Sequence, residues 1–319
     1  RLVKTPVLLE TSVIHRFSTF LALFVLLSAG HSIGRPLNMG PDTKELKTQH
    51  FRFQHRPQQE TLVRKLAGQA EKARTRLCKM YVSCPDATTL IQVATDEKDF
   101  LGIQPSGAHI DWAAGVAYAD LNLIILRVDR SMMLTIEETL VHEISHILLL
   151  NYAQKRPPRW FIEGLAIYQA DQDLITRFEA VAAASVSDSV IPLANLTKSF
   201  PATEKGRSLA YAQSGLFVQY LVNQFGEEGI RKLIEGLHHS VPFPLAVQEA
   251  LGSPLKDLEN QWLESMNRYG WVKALTSQWV IWSLISILFL LALWVARRRV
   301  RRGKKRLQRE EEREWDYIQ

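Results

Sequence analysis

At 319 residues, 46% hydrophobic and 23% charged, the chain has the composition of a folded protein with a sizeable core, which excludes a disordered or low-complexity polymer. The formal net charge is +6, but residues 297–319 hold ten Lys/Arg against five Asp/Glu and so carry +5 of it, leaving +1 for everything before. The basic balance is a property of the tail, which argues against a nucleic-acid-binding face on the main body.

In chain order, Arg1, Lys4 and Arg16 precede FSTFLALFVLLSAG, an apolar run of the length of a secretory h-region that ends in small residues. Residues 1–30 therefore read as a signal peptide, with an uncleaved signal anchor as the alternative. Residues 31–48 read as a Gly- and Pro-containing linker, and the folded body spans 49–272. His50 to Gln54 alternates as a short strand, and Gln58 to Met80 places Leu62, Leu66, Ala70, Ala73 and Leu77 on one helical face. Cys78 and Cys84 are the only cysteines. In a translocated domain they read as a short-loop disulfide, with Pro85 breaking the helix nearby, and two reduced thiols are the alternative. Further strands are expected at Thr89 to Ala94, Gly115 to Tyr118 and Leu121 to Val128, the last two joined tightly around Asp120 and Asn122.

From Thr135 the pattern turns helical. Thr135 with Glu138 three residues on makes a capping-box signature for a helix running to about Asn151. Pro157 and Pro158 end that region, and helices are expected from Arg159 or Trp160, then at about Leu209 to Phe225, Glu227 to Leu237 and Pro254 to Tyr269. Strands gathered before a helical second half predict one α+β unit with a helical C-terminal lobe. Residues 279–296 are apolar on all faces and carry no charge, close to the length that crosses a bilayer, and RRRVRRGKKR follows at once. They predict one C-terminal transmembrane helix in the cell membrane, with the basic tail 297–319 cytoplasmic and the body extracytoplasmic.

The run VHEISHILLL carries the chemistry. His142 and His146 lie one helical turn apart, so both imidazoles leave the same face and can bind one tetrahedral metal ion. Glu143, beside the first ligand, falls next to the open position, where it can take a proton from an activated water. A catalytic zinc keeps three protein ligands, and in one large class the third is a Glu on the next helix, where WFIEGLAIY supplies Glu163. Gly164 and Ala166 are small enough to let that helix approach the first. His109, His238 and His239 read as core or surface histidines.

With these residues in hand, the sequence resembles the gluzincin peptidases, in particular the peptidase MA-like group related to the M1 aminopeptidases. The resemblance rests on HEISH, WFIEGLA and LAYAQSGLFVQYLVNQFG and covers about residues 50–270. It implies a zincin-like fold, a Zn2+ cofactor, a peptide or protein substrate, metal ligands His142, His146 and Glu163, and Glu143 as catalytic base. It also implies that Tyr211, by its place in YAQSG, hydrogen-bonds the developing oxyanion; Tyr168 is the reserve candidate. Two departures stand out. The family's lysine two residues after that Tyr is Gln213 here, and the Gly-x-Met-Glu-Asn strand that grips a free amine is replaced by GVAYADLN from Gly115. The missing Glu tilts the expectation toward an endopeptidase, with Asp120 as a possible substitute anchor. An aminopeptidase and a catalytically silent zincin-fold membrane receptor or scaffold are the alternatives.

Overall fold

The apolar alternation of Phe51, Phe53 and His55 buries one face of a strand and leaves Arg52 exposed, and around it a five-stranded sheet forms. In the computed structural model the described residues are 39–40, 42–105, 110, 113–128, 136–172, 174–187, 189–275, 282–283 and 285–301. The strands are β1 (Lys44–Lys47), β2 (Phe51–His55), β3 (Thr89–Ala94), β4 (Gly115–Tyr118) and β5 (Leu123–Arg127), in the order β1-β2-β3-β5-β4. β1 pairs antiparallel with β2 and β4 antiparallel with β5, while β3 runs parallel to both its neighbours. The tight join between β4 and β5 is a 3-10 turn at Ala119–Leu121 that ends on Asn122 in the left-handed region, φ 47°.

Side chains of β4 and β5 alternate between two cores. Ala117, Ile124 and Leu126 join the main core beneath α1 (Glu60–Leu77) and α3 (Ile136–Tyr152). Val116, Tyr118, Leu123 and Ile125 face the other way, onto Phe100 and Ile103 of α2 (Glu97–Ile103). With both faces covered, β5 is apolar through Leu126 and ends in the buried Arg127.

The helical lobe comprises α4 (Arg159–Gln169), α5 (Leu174–Val186), α6 (Glu204–His238), α7 (Phe243–Leu251) and α8 (Leu255–Leu275). α6 is broken at Gly226, whose φ of 71° and ψ of 172° are not helical and suit a residue without a side chain, so the range holds two helices that meet where the sequence places their boundary. α4 lies between α3 and α6. A Cβ on Gly164 would stand 2.3 Å from the main-chain oxygen of Ser214, so the absence of a side chain sets how closely α4 and α6 meet.

Several expectations are corrected here. β1 occupies part of the stretch expected as linker, paired to β2 over Lys44–Lys47. α2, α5 and α7 were not expected: α2 is a short Asp96-capped helix with two buried apolar residues, and α7 is nine residues long, both too brief for a clear period. The alternative of reduced thiols is set aside, since Cys78 and Cys84 form a disulfide. Residues 1–38, Thr135 of the expected capping box and His109 lie outside the described residues, as do 279–281, 284 and 302–319. Among the described residues no helix is long and apolar enough to cross a membrane. Residues 285–301 are helical, and Leu288, Phe289, Leu290 and Trp294 stand exposed on them.

Candidate metal centre

α3 is buried on nearly every side, by Leu140, Ile144, Leu148 and Leu149 among others, which fixes its rotation and sends His142 and His146 toward α4. α4 returns Glu163 to the same place. The ligand-capable atoms of His142, His146 and Glu163 all lie within 4.8 Å of one another, and no residue of the cluster is more than 1% exposed. Glu163 Oε2 is 3.6 Å from His142 Nε2 and 3.5 Å from His146 Nε2. Zinc-to-nitrogen bonds of about 2.0–2.1 Å in tetrahedral geometry place ligand atoms roughly 3.3 Å apart, so the three donors already stand close to the spacing of one ion's ligands. The two nitrogens and one carboxylate with that spacing fit Zn2+.

Electrostatics divides the two buried acids. Burial pushes the Glu163 carboxyl up, but the imidazoles of His142 and His146 close to it and the Arg159 guanidinium outweigh it and hold the group down at about 2. Burial, with the nearby Glu163 charge, drives Glu143 well above the usual carboxylate range. His142 is pushed down to about 4 by burial against the pull of Glu163, which keeps a neutral imidazole available to a metal at pH 7. Neither carboxylate oxygen of Glu143 has a hydrogen-bond partner among the described residues. β4 crosses directly over it: a Cβ on Gly115 would fall 2.7 Å from Glu143 Oε1 and 2.8 Å from Thr139 Cγ2. Any side chain there would displace the carboxylate.

Other candidates are placed less centrally. Tyr211 is buried on α6, one turn before the Ser214 that touches Gly164, and its ring meets Phe200 edge-on. Phe200 in turn carries the Arg159 guanidinium over its face at 4.9 Å, and Arg159 Nε lies 3.5 Å from Glu163 Oε1. Tyr168, by contrast, donates its hydroxyl to Glu227 at the surface. Gln213 bonds both main-chain groups of Ile191. Tyr118, the fourth residue of β4, faces the α2 core, with its hydroxyl 3.4 Å from Gln104 Oε1. Asp120 sits in the hairpin turn beyond it, near Arg156 and toward the end of α3, where Asn122 bonds Asn151, two turns along from Glu143.

Sequence reasoning missed the outer contacts of the cluster. Gln172 Nε2 is 3.2 Å from His142 Nδ1, and Gln172 Oε1 accepts from Arg177 Nη2 at 3.1 Å. Both residues follow α4 in a turn and a short helix that carry no motif, so nothing in the pattern pointed to them. Arg159 had a usable signal, its i,i+4 spacing to Glu163.

The family profile described as the Peptidase MA superfamily matches residues 105–268, which include every residue of the cluster. The chain belongs to the Peptidase MA superfamily. No curated protein matches it in sequence. Among solved structures it is similar to yeast leukotriene A4 hydrolase in complex with bestatin, at 12% identity and a TM-score of 0.43, covering 72% of this chain and 39% of that one. It is also similar to a mutant M1 zinc metallopeptidase from Deinococcus radiodurans, at 15% identity and a TM-score of 0.40, covering 73% of this chain and 51% of that one. The chain thus spans between about two fifths and about half of the length of these structures. This superfamily member carries a gluzincin donor set.

Proposed function

We propose that the chain is a membrane-anchored zinc endopeptidase whose body lies on the extracytoplasmic side and whose basic tail is cytoplasmic. The observation that carries the catalytic part is Glu143: a buried carboxylate without a hydrogen-bond partner among the described residues, beside a cluster of three potential metal donors and under a strand whose glycine leaves room for it. His142, His146 and Glu163 would hold the ion. Zinc bound there supplies a Lewis acid that polarises the scissile carbonyl and acidifies a water. Glu143 takes the proton from the attacking water on a carboxylate oxygen and passes it to the leaving amine. Tyr211 donates a hydrogen bond to the oxyanion. β4, as the sheet's edge strand, offers an extended substrate a partner for main-chain hydrogen bonds.

Endopeptidase action is favoured by what borders that strand. Tyr118 takes the place where a Glu would grip a free amine, and it faces the opposite core. Asp120 lies with Arg156, two turns along from Glu143. The anchor is supported by the apolar residues exposed along 285–296 and the arginines that follow from Arg297.

Elemental analysis of the purified protein should give one zinc per chain, lost when His142→Ala and His146→Ala are combined. Glu143→Gln should keep the zinc and the melting temperature while hydrolysis of internally quenched peptides falls by about a thousandfold or more. Full activity in Glu143→Gln, or zinc retained by the double histidine variant, refutes this assignment. Blocked and free N-termini on the same peptide decide between endopeptidase and aminopeptidase.

A further inference from the structure

A groove of about 980 Å³ lies where the first turns of α4, α7 and α8 converge beside the 3-10 turn Leu193–Leu196. Its apolar wall comes from Trp160, Ile162, Leu193 and Phe243, and Leu245 stands 52% exposed at its lip. Pro157, Pro158, Pro244 and Pro254 also line it and lack main-chain N–H groups, so recognition here falls to side chains.

The rim is cationic. Arg156, Arg159, Lys198 and Lys256 border the groove from three separate stretches of chain. Among the described lining residues Glu259 is the single acid, and it is already engaged: buried at 5% exposure, it accepts from the Leu193 main-chain N–H at 2.8 Å and from Lys256 Nζ at 3.0 Å. Arg159 is drawn inward to Glu163, Arg156 is partly offset by Asp120 and the exposed Lys256 is paired with Glu259, which leaves Lys198 as the rim cation with no acidic partner among the described residues. α4 and α7 begin behind Pro158 and Pro242 with no side-chain cap, so the positive ends of two helices add to the same sign.

Cations distributed around an apolar trough suit several carboxylates spaced along a chain better than one headgroup on a hydrocarbon. We propose that this groove docks an acidic, amphipathic peptide segment of the substrate protein, remote from the bond that is cut. The inference rests on the peptidase reading of the metal centre. The groove and the centre share α4: Arg159 lines one and touches Glu163 in the other, so a docked segment bears on the helix that carries a metal donor.

The test measures binding and not cleavage. The full chain carrying Glu143→Gln is placed in phosphatidylcholine nanodiscs, with empty discs as blank, and titrated against a fluorescein-labelled peptide of repeated Glu-Leu-Glu-Pro by anisotropy. Saturable binding is expected, weakening as salt rises from about 50 to about 500 mM. Lys198→Glu combined with Lys256→Glu, and separately Leu245→Glu, should each weaken it by about tenfold or more, with zinc content and melting temperature as checks on folding. A peptide with Lys in place of Glu should not bind. No binding of the acidic peptide, or binding unchanged in folded groove variants, overturns the proposal. Hydrolysis by the parent chain is scored separately. A parent that cleaves peptides while its groove variants bind the probe normally refutes docking alone, and a parent that binds at the groove but cleaves nothing refutes the peptidase reading alone.

Discussion

Glu143 and Glu163 sit in one buried cluster and are driven in opposite directions by their neighbours, Glu143 up and Glu163 down. Glu163 has two imidazoles and a guanidinium to hold it ionised. Glu143 has an apolar helix, a glycine strand and the charge of Glu163. The imidazole of His142 depends on a less obvious group. Ligation through its Nε2 requires the proton on Nδ1, and that proton needs an acceptor. Gln172 is the side chain at that nitrogen, and turning its amide would bring Oε1 to Nδ1–H at the cost of the hydrogen bond that Oε1 now accepts from Arg177. Gln172→Ala should therefore lower zinc affinity by about ten- to a hundredfold with little change in melting temperature of the zinc-free protein. Gln172→Glu, which keeps an acceptor, should restore most of it. Competition with a fluorescent chelator gives both numbers, and an Ala variant with parental affinity removes Gln172 from the metal's support.

At the scale of elements, α1 is fastened to the β1–β2 turn by a single acid. Glu71 accepts from the Thr48 hydroxyl at 2.6 Å, from the His50 main-chain N–H at 2.8 Å and from His50 Nδ1 at 2.7 Å. Partial burial raises its carboxyl, but these hydrogen bonds prevail and the net shift is downward. A carboxylate whose folded pKa lies below its unfolded value adds stability above about 4.5, and that contribution disappears as pH falls below it. Glu71→Gln should cost about 1–2 kcal/mol at pH 7, allowing for its partial exposure, and the gap to the parent should narrow as pH falls below about 4.5 toward the lowered folded pKa. Urea titrations at several pH values measure it; a gap that does not narrow with acidification means the carboxylate charge is not the cause. This tie also marks the limit of what the sequence discloses. β3 and β4 were legible to the residue, and the bounds of α3 and the start of α4 to within one, because burial imposes a strict period and because metal-ligand spacing is local. β1 was not, since KELK is mostly exposed and depends on pairing with β2. The donors His142, His146 and Glu163 could be read from spacing and helix order. Gln172, Arg177 and the Gly115 contact with Glu143 could not, because each depends on how separate elements meet.

For the whole molecule, the question is how the body relates to the apolar stretch that follows it. α8 is held by Leu258, Trp262 and Met266, which are buried in the main core, and it touches α5, α6 and α7. Among the described residues no member of the core lies beyond Met266, so cutting the chain after Leu275 removes none of these anchors. Residues 279–296 would span roughly 27 Å as a helix, close to the hydrocarbon thickness of about 30 Å. Arg297, Arg298, Arg299, Arg301 and Arg302 follow directly. Carrying such charges through the hydrocarbon costs on the order of a few kcal/mol each, while anionic lipids of the inner leaflet attract each by about 1 kcal/mol, so the tail should stay where it is made. A chain ending at Leu275 should keep the zinc content and peptide hydrolysis of the full chain within about twofold, since its sheet, metal cluster and α8 anchors are intact. If residues 1–30 are removed in the cell, it should also appear in the soluble fraction; if they remain as an anchor, it should sediment with membranes until they too are deleted. A tail reporter reached by protease from outside intact cells, or a truncated and fully processed chain that still sediments with membranes, rules out the C-terminal anchor with a cytoplasmic tail.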